Sequence, residues 1–432
     1  MKCVEDADNQ LRGVSFRDLS HLDISILDRA RILNERVNEE LESGLSTLRE
    51  IVSPMDRSVI VKDRETGIPS EKVMFGSNNY LGLANDPRVK KKVLAMIDQY
   101  GTGLGGPPLL NGHTTFHQEL EDRLSRFKGT EDTMLFSSGF LANLGWITGL
   151  VGKNDVLIMD ELAHASMIDG TKMVRGECVK FPHNDVDCLR SALASAKKEG
   201  RTNRLVVVEG VYSMDGDLPP LPEIVEVVEE TDSFLVVDDA HGTGVLGANG
   251  KGILEHFGLE GRVDLMMGTF SKALASTGGF LSGSTDLIES LRYTARTYIF
   301  SASIPPVNLA GVTAAFEVMN EDPDLRHSLH RNRKYFQRCL AELGYHVETP
   351  SAIIPLYLGR HGDIRSLSRM FDRMGLFMNA IEYPAVPLEK QRFRISLMAS
   401  HTQADLDLLI SSIRKLAGQK DVFKEFGGQE VG

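Results

Sequence analysis

Apolar and polar positions change rhythm along the chain, and each rhythm predicts a different architecture. From Leu22 to Ile51 apolar residues recur in steps of three and four, at Ile26, Ala30, Leu33, Val37, Leu41, Leu45 and Leu48. One helix face matches that spacing, so one long amphipathic helix is predicted, slack near Gly44. Its other face is rich in Asp and Glu, which anionic lipid repels. The helix is therefore read as packing on its own domain or on a partner subunit. Residues 1–20 before it are polar. Ser58–Lys62 and Lys72–Phe75 flank the turn signal Glu65-Thr66-Gly67 and read as a hairpin. Arg88–Tyr100 and His117–Phe127 read as helices. The glycine-rich Gly101–Pro108 between them rules out regular structure.

From Thr133 the rhythm becomes an alternation of short apolar runs and helical stretches. Strands are predicted at Thr133–Phe136, Asp155–Met159, Cys178–Phe181, Leu205–Val208, Phe234–Val237 and Asp264–Met267. Helices are predicted at Leu141–Leu150, Asp185–Lys198 and Leu221–Glu230. Such alternation means an α/β fold whose mostly parallel sheet is covered on both faces. Ligands of these sheets sit at the carboxyl ends of the strands. Polar residues mark those ends: Ser138 and Gly139, His164, Ser213, Asp238 and His241, and Lys272.

After Gly279–Ser282 the pattern changes again. Helices are predicted at Asp286–Arg296, Val307–Met319, Leu325–Leu343, Ile364–Met374 and Gln403–Lys415, with strands at Tyr345–Glu348, Ile353–Tyr357 and Phe393–Leu397. The domain reading is a tail and amphipathic helix over 1–57, a large α/β domain over 58–304, a small α+β domain over 305–417 and a polar tail over 418–432.

Composition narrows the function classes. A chain of 432 residues suits two domains. A net charge of −12 argues against a nucleic-acid partner, since nothing neutralises a phosphate backbone. Cys3, Cys178, Cys188 and Cys339 form no CxxC pair, which fits free thiols, a reducing compartment and no metal site. No apolar run approaches the roughly 18–20 residues of a membrane span. The acidic N-terminus lacks the apolar core of a signal peptide. A cytoplasmic protein is expected.

The chemistry centres on Gly268–Phe280, where an apolar strand ends among small hydroxyl residues around Lys272. A lysine in such a place can form a Schiff base with a carbonyl. Asp238, after another apolar strand, can keep a pyridine nitrogen protonated. His164 can lie against a ring. Gly139-Phe140 opens a helix, and helix N-termini bind phosphate through backbone N–H groups. Ser213, Thr269 and Ser271 add hydroxyls. Lysine, pyridinium partner and phosphate cup are what pyridoxal 5'-phosphate requires.

The same stretches resemble a known family. Ser77–Gly82, Asn111-Gly112, Phe136–Phe140, Asp160–Ser166, Gly210–Gly216, Val237–Gly242, Gly268–Lys272, Phe300–Pro306 and Arg392–Ser396, in this order, are similar to the motifs of the α-oxoamine synthases. These are pyridoxal-phosphate transferases of fold type I. The resemblance runs from about Met74 to Thr402. It implies that Lys272 bonds covalently to the cofactor and later moves the substrate proton. It implies that Asp238 partners the pyridine nitrogen, His241 sits near the phenolic oxygen and His164 stacks on the ring. Gly139 and Phe140 would hold the phosphate, with Ser213, Thr269 and Ser271 as further contacts. Ser301 and Ala302 would reach the phosphate of a neighbouring subunit, which implies a homodimer with shared sites. Asn79 and Tyr80 lie in a loop that enters the site, and Arg394 would grip the amino-acid carboxylate.

The implied reaction condenses an amino acid with an acyl thioester, with loss of carbon dioxide, to an α-aminoketone. Met74–Gly82, Leu110–Gly112 and Phe300–Pro306 are most similar to serine palmitoyltransferases. That resemblance implies L-serine, a long-chain acyl-CoA, and a 3-keto sphingoid base for sphingolipid biosynthesis. One departure is Pro107-Pro108, where many members carry Ser-Arg; a donor and a charge are lost. Open alternatives are a synthase using glycine, alanine or a carrier-bound polyketide chain, an aminotransferase or lyase on the same fold, and a non-catalytic subunit.

Overall fold

The computed structural model describes residues 23–44, 47–64, 66–359, 362–383, 385–418 and 422–423. Residues 1–20, Leu22, Leu45, Glu65 and most of the tail from Gly418 lie outside them.

The strands in chain order are Glu50–Ile51 (β1), Ser58–Lys62 (β2), Pro69–Met74 (β3), Asp132–Phe136 (β4), Val156–Asp160 (β5), Glu177–Phe181 (β6) and Arg204–Glu209 (β7). Phe234–Asp238 (β8), Leu265–Thr269 (β9), Gly279–Gly283 (β10), Ile353–Tyr357 (β11), Leu376–Phe377 (β12), Asn379–Ile381 (β13) and Arg392–Ser396 (β14) follow. The central sheet has the order β4-β10-β9-β8-β7-β5-β6. The β5–β9 neighbours pair in parallel, and β10 runs antiparallel between β4 and β9.

The unbroken apolar runs have a direct cause. Along β7, Val206 and Val208 enter one core while Leu205 and Val207 enter another. The same alternation holds for Leu235 and Val237 against Val236 on β8. Side chains alternate across a strand, and helices cover both faces, so no position is left for water. The predicted α/β class and mostly parallel sheet are therefore observed.

The strand inserted at β10 brings two backbones together. Gly279 pairs with Phe136 and with Thr269. A Cβ built on it would lie 2.7 Å from the Gly139 backbone nitrogen. Glycine here lets the start of the helix Gly139–Leu150 settle on the sheet.

Two smaller sheets complete the fold: β1-β2-β3-β12 and β11-β14-β13. The predicted hairpin is β2–β3, with β12 added in parallel. On the central strand β14, Arg392, Arg394 and Ser396 share one face, while Phe393 and Ile395 enter the core on the other.

Three expectations are corrected. The long N-terminal helix spans only Ile26–Glu42. Gly44 turns into the left-handed region at φ +105, and Ile51 pairs with Val61 as strand β1. Leu48, counted on the helical face, is 97% exposed. Second, Tyr345–Glu348 forms no ladder. Gln337, on the preceding helix Asp324–Ala341, donates to the carbonyls of Val347 and Thr349 at 3.0 Å each, so the segment is pinned to a helix instead. Third, His164 is not simply in a loop; it caps the unpredicted helix Ala165–Thr171.

The loops after β5, β6 and β7 are stapled together at the sheet's carboxyl rim. His183 Nδ1 lies 3.0 Å from Asp160 Oδ1 and its Nε2 lies 2.8 Å from Asp217 Oδ2. Asn184 donates to Asp217 and to the Leu218 carbonyl at 3.1 and 3.2 Å. Burial works against charge on His183, but the two carboxylates outweigh it and raise its pKa to about 10. A histidine raised on folding contributes stability that is complete below its unfolded value and is lost as pH rises through the folded one. The stability gap between wild type and His183→Gln, measured by urea unfolding, is expected to be widest below about pH 6.5 and to close as pH passes through about 10. A gap that widens with pH would contradict the staple. Gly279→Ala is expected to cost about 1–3 kcal/mol in the same measurement, as overpacking against backbone does.

Candidate active site

Each strand of the central sheet delivers its polar residue where the backbone leaves the ladder. β4 ends at Phe136, and Ser138 then caps the helix Gly139–Leu150 by accepting the Leu141 amide at 3.2 Å. The Gly139 and Phe140 amides, in the first turn, have no intrahelical acceptor. Thr269, the last residue of β9, lies beside them. A Cβ on Gly139 would sit 3.0 Å from its Oγ1. That hydroxyl is also 3.0 Å from Ser271 Oγ and donates to the Gly278 carbonyl at 3.0 Å. Unpaired amides, a helix dipole and hydroxyls together form a cup that fits a phosphate.

Asp238 ends β8 and is 4% exposed. Its Oδ2 accepts from Asn143 Nδ2 at 2.8 Å, and its Oδ1 accepts the Ala240 amide at 3.1 Å. Asn143 also donates to Ser166 Oγ at 2.9 Å, and Ser166 Oγ lies 2.7 Å from His164 Nδ1. Sequence reasoning missed Asn143 and Ser166. The signal for Asn143 was its place one helical turn beyond Gly139, on the same face. Burial lowers the pKa of His164, with Asp238 opposing. The ring is therefore neutral at physiological pH, suited to lie against another ring. Its edge contact with Phe140 has centroids 6.4 Å apart.

Lys272 lies beyond β9 in the turn closed by Ala275, whose φ of +53 is unusual for a residue with a side chain. Among the described residues its ammonium makes no hydrogen bond or ion pair. Burial pushes its pKa down to about 8, against the pull of Asp238. A lysine that loses its proton near neutrality is a nucleophile.

His241 Nδ1 is 2.6 Å from the Tyr80 hydroxyl. Tyr80 in turn donates to Asn78 Oδ1 at 3.2 Å, and Arg394 Nη1 donates to the same oxygen at 3.0 Å. Burial, then the charges of Lys272 and Arg394, hold His241 well below its ordinary value. Arg394 is 5% exposed and also donates to Ser396 Oγ at 2.8 Å and to the Ser213 carbonyl. Sequence reasoning missed Asn78, although its neighbours Asn79 and Tyr80 were singled out. Asn79 is buried, with its Nδ2 unpartnered. Arg392 is 2% exposed and binds Asp215 and Tyr357. The two arginines of β14 thus fasten the loop that carries Ser213. Ser301 and Ala302 lie apart from this group, lining a small cavity with Pro108, Phe136, Ser137 and Tyr298.

The structure therefore brings Gly139, Phe140, His164, Asp238, His241, Thr269, Ser271 and Lys272 to one rim, with Tyr80 entering from the loop after β3 and Arg394 from β14. Phosphate cup, buried carboxylate and unpaired lysine fit pyridoxal 5'-phosphate. Among the described residues no group of three or more His, Cys, Asp or Glu is placed to hold a metal ion. No described helix is long and apolar enough to cross a membrane.

Residues 70–413 match the family model for class I and II aminotransferases. The chain is 40% identical to serine palmitoyltransferase of Sphingobacterium spiritivorum, over 91% of this chain and 97% of that one. It is 38% identical to 8-amino-7-oxononanoate synthase of Thermoanaerobacter pseudethanolicus, over 90% and 98%. Among solved structures it resembles serine palmitoyltransferase from S. paucimobilis with a bound PLP–myriocin aldimine. The TM-score is 0.84 at 32% identity, covering 91% of this chain and 98% of that one. The chain belongs to the α-oxoamine synthases, pyridoxal-phosphate acyltransferases of fold type I within the class I and II aminotransferase family.

Proposed function

We propose that this enzyme condenses L-serine with a long-chain acyl thioester, releasing carbon dioxide and the thiol and forming a 3-keto sphingoid base. The observation that carries the amino-acid half is Arg394, a buried guanidinium on the inner face of β14 beside the loop of Ser213. A fork of N–H donors suits a carboxylate. The serine and long-chain choices are supported by likeness to the serine palmitoyltransferases in sequence and structure. A second reading is supported equally by identity: a synthase of the 8-amino-7-oxononanoate type, using glycine or alanine or a carrier-bound chain. Both readings share one chemistry.

When bound, pyridoxal 5'-phosphate supplies an electron sink for the carbanion at the amino acid's Cα. Asp238, its charge oriented by Asn143, holds a proton on the ring nitrogen. His164 would stack on the ring, and His241, bonded to Tyr80, would sit near its phenolic oxygen. Gly139 and Phe140 would hold the phosphate, with Ser213, Thr269 and Ser271 as further contacts and Ser301 and Ala302 reaching the phosphate of a second subunit. Arg394 would fix the substrate carboxylate, with Asn79 and Tyr80 in the buried loop that enters the site. Lys272, as the free amine, would take the Cα proton and later return one. Leu110 is 82% and Phe300 71% exposed, close in the chain to the Gly112–Ser303 contact, which supports a homodimer meeting at that face. The assembly is proposed to be cytoplasmic.

A panel of serine, alanine and glycine with acyl-CoA and carrier-bound thioesters should release thiol fastest with serine and a long-chain acyl-CoA. A clear preference for alanine or glycine would select the second reading. Arg394→Leu should raise the KM for the amino acid by about a hundredfold, the loss of a charged hydrogen bond of about 1.5–3 kcal/mol and its orientation. Its cofactor absorbance should persist. Lys272 captures the cofactor's aldehyde only as the free amine. The rate of cofactor uptake by stripped enzyme should therefore rise with pH through about 8 and then level. A rate that falls over that range would contradict the assignment.

A further inference from the structure

Glu209 has no part in the chemistry above, yet it lies inside the site. It ends β7 in register with Asp238 of β8. Paired residues of neighbouring parallel strands project to the same face, so the two carboxyl groups stand side by side. Glu209 is 3% exposed. Asp238 receives hydrogen bonds from Asn143 and from the Ala240 amide; Glu209 has no ion pair among the described residues, and its Oε1 is buried without a partner. The backbone amides of Ser213 and His164 approach its carboxyl group. The groups facing it are Asp238 from β8, Lys272 from the turn after β9, His164 from the loop after β5 and Tyr212 from its own loop.

Two adjacent carboxylates in a dry site do not both ionise. Both oxygens of Asp238 have a donor, whereas Oε1 of Glu209 is buried without a partner. Burial, then the neighbouring Asp238, raises the pKa of Glu209 well above the usual carboxylate range. We propose that Glu209 is a positioning residue: a neutral carboxylic acid that holds the Ser213 and His164 backbones and leaves Asp238 as the one negative charge facing the cofactor's ring nitrogen. The neutrality has a consequence for Lys272. A second carboxylate beside it would hold its ammonium as an ion pair and withhold the free amine. The proposal rests on the reading of Asp238 as the ring-nitrogen partner.

The test is a difference infrared spectrum of holoenzyme, wild type minus Glu209→Gln, at neutral pH. A protonated-carboxyl carbonyl band in the wild type is expected; a carboxylate band in its place would overturn the proposal. Cofactor dissociation constants give a second measurement. Glu209→Leu should bind the cofactor about ten- to a hundredfold more weakly, as loss of a buried hydrogen-bond partner does. Glu209→Gln, neutral and of the same shape, should restore most of that loss. If Gln is as weak as Leu, a neutral acid is not what the site requires and the proposal fails. Should Glu209→Leu not fold, the infrared comparison decides alone. Asp238→Asn separates the two readings. An unaltered cofactor absorption spectrum in that variant would remove the role of Asp238, while the infrared band still reports the state of Glu209.

Discussion

The site depends on one hydrogen bond, from the Asn143 amide nitrogen to Asp238 at 2.8 Å. Its direction is fixed by chemistry. The Trp146 indole, a donor only, sits 3.0 Å from Asn143 Oδ1, so that oxygen accepts and the amide nitrogen must face Asp238 and Ser166. Trp146 itself is fully buried under the sheet. A core tryptophan therefore sets the orientation of an amide, which sets a carboxylate. Through Ser166 the same amide reaches His164. The helix that begins at the Gly139-Phe140 cup thus also orients Asp238 and His164, and the three cannot shift independently.

Charge partition makes this arrangement usable. Asp238 and Asp239 are consecutive, and composition cannot separate them. Structure does, because their side chains leave the strand end on opposite sides. Asp239 meets Lys128 at 2.9 Å and Thr243 at 3.0 Å, both buried, and its other oxygen accepts the Ile253 amide. Its charge is spent on a structural ion pair. Asp238 meets only neutral donors, so its field is left for a ligand. A buried pair is weak evidence of stability, but here it removes a competing carboxylate from the site.

What was legible in the sequence follows from the same physics. Strands buried on both faces read as continuous apolar runs, so the parallel sheet and its rim could be placed from pattern alone. Lys272, Asp238 and Gly139 stand at the ends of those runs, and the structure brings them to one rim. Asn143, Ser166 and Asn78 were not legible, because an uncharged amide or hydroxyl inside a helix or loop carries no pattern of its own. Its role exists only when a second element packs on it. Two false elements had a similar origin. The spacing that continued to Leu48 had no core to face there, and Leu48 is almost fully exposed. Tyr345–Glu348 had strand-like residues but no ladder partner, and a glutamine side chain took its carbonyls. The short strands β12 and β13 gave too few residues for a period to show.

The double proline shows how a sequence can lose a contact and keep a shape. Pro108 opens the turn Pro108–Gly112, where a missing N–H is no loss. Pro107 is extended, as a residue before proline must be. Its carbonyl accepts the amides of Leu110, Asn111 and Gly112 at 3.2, 3.3 and 3.0 Å. Asn111 then ties back to the Leu104 carbonyl at 2.8 Å, and the Gly106 carbonyl accepts the Ser303 amide at 3.1 Å. His117, which burial keeps neutral, closes the other side on Ser303 and the Ile304 carbonyl. The turn is thus held by backbone bonds and fixed dihedrals, with no charge of its own from Pro107 to Gly112. The side chains it exposes are apolar, Leu109 and the largely exposed Leu110.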